Sequence, residues 1–223
     1  MFSYVFMKIL ESRPQVYDRR MNRITAGQMR RIKRYVAGLV PEGARVLEIG
    51  CGTGELAFIC LEQGAVVQAF DLNPDMIEMV GRRNADKRLT DRINVRQMGV
   101  DGMDRFPDAD VDVVIATLAF SELSDDERRY AIKHAFRVLK PGGRLLVADE
   151  MVPRTFGRRL LHTMIRVPLL VMTYLVSGGY TRPLSGLKDE MTDSGFTLIK
   201  EDRSHGDAFA VIVGLKPAGN TLA

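Results

Sequence analysis

The stretch Arg45-Val-Leu-Glu-Ile-Gly-Cys-Gly-Thr-Gly-Glu55 decides the fold. An apolar strand leads into three glycines at alternate positions, Gly50, Gly52 and Gly54, and a helix is expected to open behind them. Glycine lets the backbone turn sharply and approach a ligand closely, because it has no Cβ. A helix amino terminus beyond such a turn offers unpaired N–H groups to an anionic group. The stretch therefore predicts a cofactor-binding turn between a strand and a helix.

The glycine spacing differs from the dinucleotide fingerprint G-x-G-x-x-G. The third glycine comes one residue early, and Glu55 stands where that fingerprint has glycine. An acid, Glu48, lies two residues before the first glycine, and a second predicted strand, 65–70, runs into Asp71. A carboxylate at the tip of a neighbouring strand can accept hydrogen bonds from both hydroxyls of a ribose. A nicotinamide oxidoreductase is therefore disfavoured against a protein that binds a nucleoside cofactor without a pyrophosphate.

The rest of the chain alternates strand and helix patterns. Strands are predicted at 45–49, 65–70, 93–98, 111–116, 144–149, 196–201 and 209–216. Helices are predicted at 15–40, 54–63, 74–83 and 124–139, and Lys140-Pro-Gly-Gly143 is predicted to turn the chain. This alternation indicates an α/β fold with a seven-stranded, mostly parallel, doubly wound sheet. The last two strands are expected to form an antiparallel edge.

Length and composition fit one domain over residues 1–223, with an N-terminal helical flap at 1–40 and a helical lid insertion at 151–183. A chain of 223 residues can bury one substantial core, and a 46% apolar content argues against long disorder. The net charge of +4 is mildly basic, with arginines concentrated in 19–34 and 154–166. Solvated helix faces are the simpler interpretation of both clusters, and an acidic partner or an anionic membrane surface is the alternative.

The motif E-x-G-x-G-x-G at 48–54, with Asp71 at the next strand end, resembles the class I S-adenosylmethionine-dependent methyltransferases. Residues 106–115 and 137–147 are similar to the core of the small-molecule methyltransferases, and in particular to the ubiquinone/menaquinone-biosynthesis C-methyltransferases. Phe120-Ser-Glu-Leu-Ser124 is unusual and resembles methyltransferases associated with corrinoid proteins. The resemblance implies a Rossmann-like methyltransferase fold, with S-adenosyl-L-methionine as the cofactor.

The resemblance also implies where the cofactor binds. Gly50 to Gly54 would hold the methionine part, Asp71 the ribose, and Leu72 would lie against the adenine. The family usually has Gly-Asp before its adenine contact, whereas this chain has Gly99-Val100-Asp101-Gly102, which shifts Asp101 by one residue. The full set of predicted cofactor-binding residues is Tyr17, Glu48, Gly50, Cys51, Gly52, Thr53, Gly54, Asp71, Leu72, Val100, Asp101, Gly102, Leu118 and Ser121.

Methyl transfer from a sulfonium is an in-line displacement with a neutral leaving group, so alignment and exclusion of water carry most of the catalysis. A general base is needed only when the acceptor must lose a proton. For this reason the sequence indicates no definite catalytic residue. His205, Glu122 and His162 are candidates for the base. The alternative for His205 is a solvated position in a turn, and the alternative for Glu122 is a capping or surface role.

Other chemistries are disfavoured by what the sequence lacks. Cys51 and Cys60 lie in or just after the glycine loop, where they suggest neither a disulfide nor a zinc site nor the nucleophile of a cytosine C5-methyltransferase. Residues 116–120 lack the Asn/Asp-Pro-Pro-aromatic run of base amino-methyltransferases. Asp149-Glu150 matches a catechol-type metal site only in part, so no metal is predicted. Two unpaired cysteines favour a reducing cytoplasm.

The insertion 151–183 is rich in apolar residues but is interrupted by His162, Arg166 and Pro168, so it is not predicted to span a membrane. A lid formed by a helix pair on the core is the main interpretation, and a second apolar flap at 1–10 could add to it. The alternatives are an apolar substrate chamber, a peripheral membrane surface, or the interface of a non-catalytic, cofactor-binding partner protein. A small, apolar acceptor is expected. Nucleic acid is not, because the basic helix carries no interleaved aromatics, and the sequence does not indicate an oligomeric state.

Overall fold

The computed structural model describes residues 14–87, 90–177, 182–204 and 207–219, although the side chains of 86–87, 90 and part of the helix 156–177 are left out of the description. In chain order the elements are α1 (Pro14–Ile24), α2 (Gln28–Ala37), β1 (Arg45–Ile49), α3 (Glu55–Glu62), β2 (Val66–Asp71), α4 (Pro74–Lys87), β3 (Ile93–Gln97), β4 (Val111–Thr117), α5 (Asp125–Val138), β5 (Leu139–Glu150), α6 (Phe156–Ser177), α7 (Leu187–Asp193), β6 (Thr197–Ser204) and β7 (Phe209–Leu215). Short 3₁₀ turns lie at Thr90–Arg92, Val100–Arg105 and Phe120–Glu122.

The predicted α/β fold is confirmed. One seven-stranded sheet has the order β3-β2-β1-β4-β5-β7-β6. The pairs among β1 to β5 are parallel, and β7 runs antiparallel to both of its neighbours. The order reverses between β1 and β4, and in open α/β sheets ligands bind outside the carboxyl ends of the strands at such a switch point.

The two faces of the sheet bury separate apolar clusters, because successive strand residues point to opposite sides. On one face Val46 and Val113 pack with residues of α1 to α4, including Met21 and Leu61. On the other face Leu47 and its neighbours pack with α5 and α7. Helices on both faces make the sheet doubly wound and leave the carboxyl ends of the central strands as the open edge.

The N-terminal helical region is broken, although the sequence pattern predicts helix throughout 15–40. Ala26 and Gly27 take positive φ values of 49° and 79°, so α1 ends and α2 starts afresh. A positive φ cannot continue a right-handed helix, and the sequence places glycine at one of the two positions. Residues 1–13, with the predicted flap at 1–10, lie outside the described residues.

Two further boundaries differ from the prediction. Residues 140–143, predicted as a turn, lie inside β5, because the β4–β5 ladder continues past an irregularity to pair Val111 with Leu139. The insertion forms one 22-residue helix, α6, rather than a helix pair, and Pro168 lies within it. By contrast, α5 starts where predicted: Ser124 and Glu127 form a capping box, in which each side chain bonds the other residue's backbone N–H.

Candidate functional site

A cavity of about 820 Å³ lies at the carboxyl ends of β1, β2 and β4, where the strand order reverses. Five parts of the chain form its walls: the glycine loop, the tip of β2, the segment 98–101 after β3, the segment 117–123 after β4, and side chains of α1, α2, α4 and α5. Every core strand that reaches the cavity does so with its carboxyl end. The position is the one expected for a ligand site of this sheet.

The glycine loop bends close to the end of β4. Gly50 and Gly52 have φ values of 67° and 52°, which favour glycine. A Cβ added to Gly50 would lie 2.8 Å from the Cβ of Ala119, so only glycine lets the two segments meet. The N–H groups of Gly50 and Cys51 both donate to the carbonyl of Phe70, at 2.9 and 3.0 Å. These two amides hold the turn in shape and are not directed at an anionic ligand.

Asp71 links the tip of β2 to the glycine loop. Its Oδ2 accepts a hydrogen bond from the Gly52 N–H at 2.7 Å, and its Oδ1 accepts one from the Asn73 N–H at 2.9 Å. A carboxylate offers about four acceptor positions. The two backbone N–H groups occupy two of these positions. The other two remain for ligand hydroxyls, which can reach them because Asp71 also lines the cavity.

Glu48 lines the cavity from inside β1 and is only 3% exposed. Burial raises the pKa of its carboxyl to about 8; the charge of Asp71 also raises it, while Lys33 and a hydrogen bond from the Ala57 backbone lower it. Its Oε2 finds no hydrogen-bond partner among the described residues. A buried carboxylate oxygen without a partner costs free energy, so this atom is suited to accept from a cationic ligand group.

Two N-terminal helices are fastened to the glycine loop by a group of charged and polar side chains, here called the loop latch: Asp18, Lys33, Thr53, Glu55 and Arg83. The Thr53 hydroxyl donates to Asp18 Oδ1 at 2.7 Å, and Arg83 forms an ion pair with Asp18. Arg83 also donates to the Thr53 carbonyl at 2.9 Å, and Lys33 Nζ donates to Glu55 Oε2 at 2.8 Å. The latch makes α1 and α2 part of the cavity wall.

The end of β4 carries a strained residue. Leu118 has a φ of 55°, which costs a non-glycine residue about 1–3 kcal/mol when the surroundings enforce it. Its N–H donates to the Ala148 carbonyl at 2.9 Å, so the backbone is held from β5. The strained turn presents Leu118, Ala119 and Glu122 to the cavity. Flexible thioether side chains also line it, from Met21, Met29, Met76 and Met98.

The structure brings together most of the predicted site residues. The predicted residues that line the cavity are Tyr17, Glu48, Gly50, Cys51, Gly52, Thr53, Asp71, Leu72, Val100, Asp101, Leu118 and Glu122. Gly54, Gly102 and Ser121 are not among the lining residues. Gly54 packs against Val80, and a Cβ on Gly102 would meet Met98. The Ser121 N–H instead donates to Asp149 Oδ2 at 3.0 Å.

Of the two candidate bases that the structure describes, Glu122 lines the cavity and His162 does not. His162 lies within α6, is 5% exposed, and has its Nε2 3.2 Å from Glu150 Oε1; Arg166 forms an ion pair with the same carboxylate. This places Arg166, which the sequence suggested as a lipid contact, inside the protein. His205 lies outside the described residues. Since β6 runs parallel to the core strands, its end at Ser204 lies at the carboxyl edge of the sheet.

The strand-end acids of β5 are buried. Burial raises the pKa of Asp149 to about 6, although hydrogen bonds from Ser121 and the Glu150 backbone oppose the shift. Among the described residues, no group of three or more His, Cys, Asp or Glu side chains could hold a metal ion. Both cysteines are buried thiols; burial raises the pKa of Cys60 to about 12 and that of Cys51 well above its ordinary value, so neither is a reactive thiolate.

The charge of the cavity fits a cationic cofactor. Its acidic lining residues are Glu48, Asp71, Asp101, Glu122, Asp126 and Glu127. Lys33 is the one basic residue among the described lining residues. S-adenosylmethionine has a sulfonium and an ammonium against one carboxylate, so this lining attracts it, whereas the pyrophosphate of a dinucleotide would be repelled. The unpartnered Glu48 oxygen and the close-packed Gly50 are consistent with the same ligand.

Comparison with known proteins identifies the family of this chain. Residues 46–143 match the family model described as a methyltransferase domain. The ubiquinone/menaquinone biosynthesis C-methyltransferase UbiE of Yersinia enterocolitica is 30% identical, and the alignment covers 90% of this chain and 86% of that protein.

Solved structures agree on the fold. A putative methyltransferase of Haloferax volcanii, solved in complex with the Trm112 methyltransferase activator, superposes with a TM-score of 0.71 at 16% identity and covers 96% of this chain and 98% of its own. The [4+2]-cyclase SpnF superposes with a TM-score of 0.67 at 18% identity, over 85% of this chain and 82% of its own. At these identities the two structures support the fold alone.

Fold and site together define an enzyme that binds S-adenosylmethionine and transfers its methyl group. The chain belongs to the class I S-adenosylmethionine-dependent methyltransferases, the class that includes the UbiE-type C-methyltransferases it is similar to. Its substrate is a small molecule. Among the described residues, no helix is long and apolar enough to cross a membrane.

Proposed function

We propose that this enzyme methylates a carbon atom of a small, apolar ring compound of the kind from which quinones are built. The observation that carries the proposal is the make-up of the cavity beside β4, where the apolar Leu118 and Ala119 adjoin a carboxylate, Glu122. The similarity to C-methyltransferases of ubiquinone and menaquinone biosynthesis supports the same acceptor class. A ring of this type offers an apolar body to the wall and a hydroxyl to the carboxylate.

The cofactor residues have separate roles in the proposal. Asp71 accepts from the ribose hydroxyls, Glu48 pairs with the ammonium, and Lys33 pairs with the carboxylate of the methionine part. Leu72, Val100 and Asp101 enclose the adenine. S-adenosylmethionine, when bound, supplies an electrophilic methyl group that is displaced in line from a neutral sulfur. The protein contributes alignment, and the fastened helices α1 and α2 cover part of the cavity.

Glu122 acts as the general base. It removes the proton of the ring hydroxyl, and the resulting phenolate makes the neighbouring ring carbon nucleophilic. Carbon methylation needs such a base because the acceptor becomes nucleophilic only when its hydroxyl loses a proton. As the ring carbon takes the methyl group, the carbon–sulfur bond breaks and S-adenosylhomocysteine leaves without needing a proton. The ring then recovers its aromaticity by losing the proton of the methylated carbon while its oxygen is protonated again. His162 cannot take this role, because its side chain faces inward from α6 and contacts Glu150, away from the lining of the cavity.

The test is turnover with a panel of acceptors that contains isoprenylated hydroquinones, catechols and primary amines. We expect S-adenosylhomocysteine to form with the hydroquinones, and nuclear magnetic resonance of the product to place the new methyl group on a ring carbon. A chirally labelled methyl group should be inverted once. A methyl ether as the product would contradict carbon transfer. Tight cofactor binding without turnover on any acceptor would contradict catalysis of this kind altogether.

The role of Glu122 is tested separately with Glu122→Gln. We expect kcat to fall about a hundredfold, because a positioned base contributes on the order of that factor. The dissociation constant of S-adenosylmethionine should stay within about twofold, since Glu122 is assigned to the acceptor. Asp126→Asn is the matched control, as Asp126 also lines the cavity but its side chain is 95% exposed and pairs with Arg129. Equal activity of the wild type and Glu122→Gln would remove Glu122 from the mechanism.

A further inference from the structure

The helix α6 is oriented with its apolar side outward. Six of its apolar side chains are between 50% and 81% exposed and follow one another at spacings of three or four residues: Phe156, Leu160, Met164, Val167, Val171 and Leu175. Side chains at these spacings share one face of a helix. We call this surface the outer face of α6. Two polar residues spaced four apart, His162 and Arg166, are 5% and 4% exposed and face the protein.

The inward contacts explain why the helix cannot turn over. His162 and Arg166 both contact Glu150 at the end of β5, and Glu150 is 2% exposed. Removing one partner of a buried ion pair is strongly destabilising, because the remaining charge stays buried. The outer face is therefore fixed in place. It is a continuous apolar stripe, whereas the exposed apolar residues of soluble proteins are usually scattered singly.

We propose that the outer face of α6 is a docking surface for an anionic lipid membrane. The helix carries no Asp or Glu, and Arg158 and Arg159 lie in its first turn. Arg154, Arg158 and Arg159 are all exposed, although Arg154 pairs with Glu201 and Arg158 with Asp207. Arg159 flanks the stripe directly, one residue before Leu160. An apolar face bordered by arginines and free of acids complements anionic headgroups above an acyl layer.

The helix lies on the membrane in this proposal and does not cross it, in agreement with the absence of a membrane-crossing helix among the described residues. The docking itself depends on α6 alone and does not require the proposed acceptor to be correct.

The test is flotation of the full-length protein with vesicles of phosphatidylcholine alone, or of two parts phosphatidylcholine to one part phosphatidylglycerol. We expect the wild type to float with the anionic vesicles and to be released by high salt. A Leu160→Glu, Leu175→Glu double variant should bind at least about tenfold more weakly, since two apolar side chains no longer enter the lipid. Arg159→Gln should bind the anionic vesicles about fivefold more weakly.

The matched control is Ile199→Glu, a change at another exposed apolar residue, on β6. It should bind vesicles as the wild type does. Both glutamate variants should keep the wild-type affinity for S-adenosylmethionine, which shows that they are folded. A wild type that stays with the soluble fraction at every vesicle composition overturns the proposal. So does a wild type that forms a dimer in light scattering, ignores vesicles, and is made monomeric by Leu160→Glu, Leu175→Glu, because the face would then be a contact between two copies.

Discussion

Among single residues, Asp71 is the one on which we expect cofactor affinity to depend most. It joins the glycine loop and the turn after β2 through hydrogen bonds from Gly52 and Asn73, and it faces the cavity. In Asp71→Asn one oxygen becomes an amide donor, so acceptance from the ribose hydroxyls is lost. We expect binding of S-adenosylmethionine, measured by calorimetry, to weaken about tenfold to a hundredfold.

The control for this variant is Asp193→Asn, which makes the same chemical change at an exposed residue at the end of α7. It should leave the affinity unchanged. If Asp71→Asn binds S-adenosylmethionine as the wild type does, the assignment of Asp71 to the ribose is wrong.

Glu48 is the residue through which we expect the affinity for S-adenosylmethionine to depend on pH. Burial holds the pKa of this carboxyl at about 8, so in the ligand-free protein it is protonated at neutral pH. Pairing with the cofactor's ammonium requires the ionised form, and binding must therefore release a proton. Between about pH 6 and pH 7.5, below the range in which an α-amino group titrates, affinity for S-adenosylmethionine should rise nearly tenfold for each pH unit.

Glu48→Gln removes the titrating group and keeps the shape of the side chain. Its affinity should be lower at pH 7.5 and almost independent of pH, and calorimetry in buffers of different ionisation enthalpy should detect no proton release. A wild-type affinity that is flat over this range would contradict the pairing of Glu48 with the ammonium.

At the scale of elements, we expect the loop latch to couple the position of α1 to cofactor binding. Asp18→Asn would weaken the contacts of α1 with Thr53 and Arg83 and leave the buried Met21 in place. We expect the unfolding free energy to fall by about 1–2 kcal/mol, because charge-assisted hydrogen bonds are lost. Hydrogen exchange in α1 should become faster, and affinity for S-adenosylmethionine should decrease with it.

The control for Asp18→Asn is the same substitution at an ion pair far from α1. Arg45 pairs with Asp110 at the opposite, amino-terminal side of β1, so Asp110→Asn removes an ion pair without touching α1. This variant should keep wild-type exchange in α1 and wild-type affinity. Unchanged affinity in Asp18→Asn despite faster exchange in α1 would show that the helix does not contribute to binding.

The elements also show how far the sequence could be interpreted. The strand 45–49 and the start of α5 at Ser124 were predictable, because an apolar run that ends in glycines and a capping box are local signals. The strand β5 was predicted too short, since Pro141 and Gly142 indicate a turn locally whereas pairing with β4 extends the strand. The insertion was predicted as two helices because Pro168 was expected to interrupt it.

Within the site, the sequence identified the glycine loop and Asp71 but missed Asp18 and Lys33. Both lie in a helix region whose many charges resemble an ordinary solvated face. Their convergence on Thr53 and Glu55 depends on how α1 and α2 pack on the sheet, and no spacing in the sequence encodes that packing. Ser121 was misplaced for the same reason: its neighbour in space is Asp149, from a different strand.

At the scale of the whole molecule, two buried carboxyls set how stability depends on pH. The pKa of Glu48 is about 8 in the folded protein against an ordinary 4.5, and that of Asp149 is about 6 against 3.8. Between those limits the folded protein holds more protons than the unfolded chain. The free energy of unfolding must therefore fall as pH rises, through about 4 to 6 for Asp149 and through about 4.5 to 8 for Glu48.

Groups with a lowered pKa oppose this fall. Burial and the charge of Arg137 lower the pKa of His134 from its ordinary 6.5, so this group adds stability as pH rises toward that value, whereas the lowered carboxyls act at lower pH. Hydrogen bonds and charges from Arg203 and Lys188 lower the pKa of Glu201 to about 2 although burial opposes them, so the stability it contributes is lost only as pH falls below about 4.5. We therefore expect the melting temperature of the ligand-free protein, followed by circular dichroism, to be higher near pH 5.5 than near pH 8. Glu48→Gln should melt well above the wild type at pH 8 and above it by a smaller margin at pH 5.5, since the variant has no buried charge to form. A wild-type melting temperature that rises from pH 5.5 to pH 8 would mean that Glu48 is already ionised in the folded protein, with a cationic partner that offsets its burial.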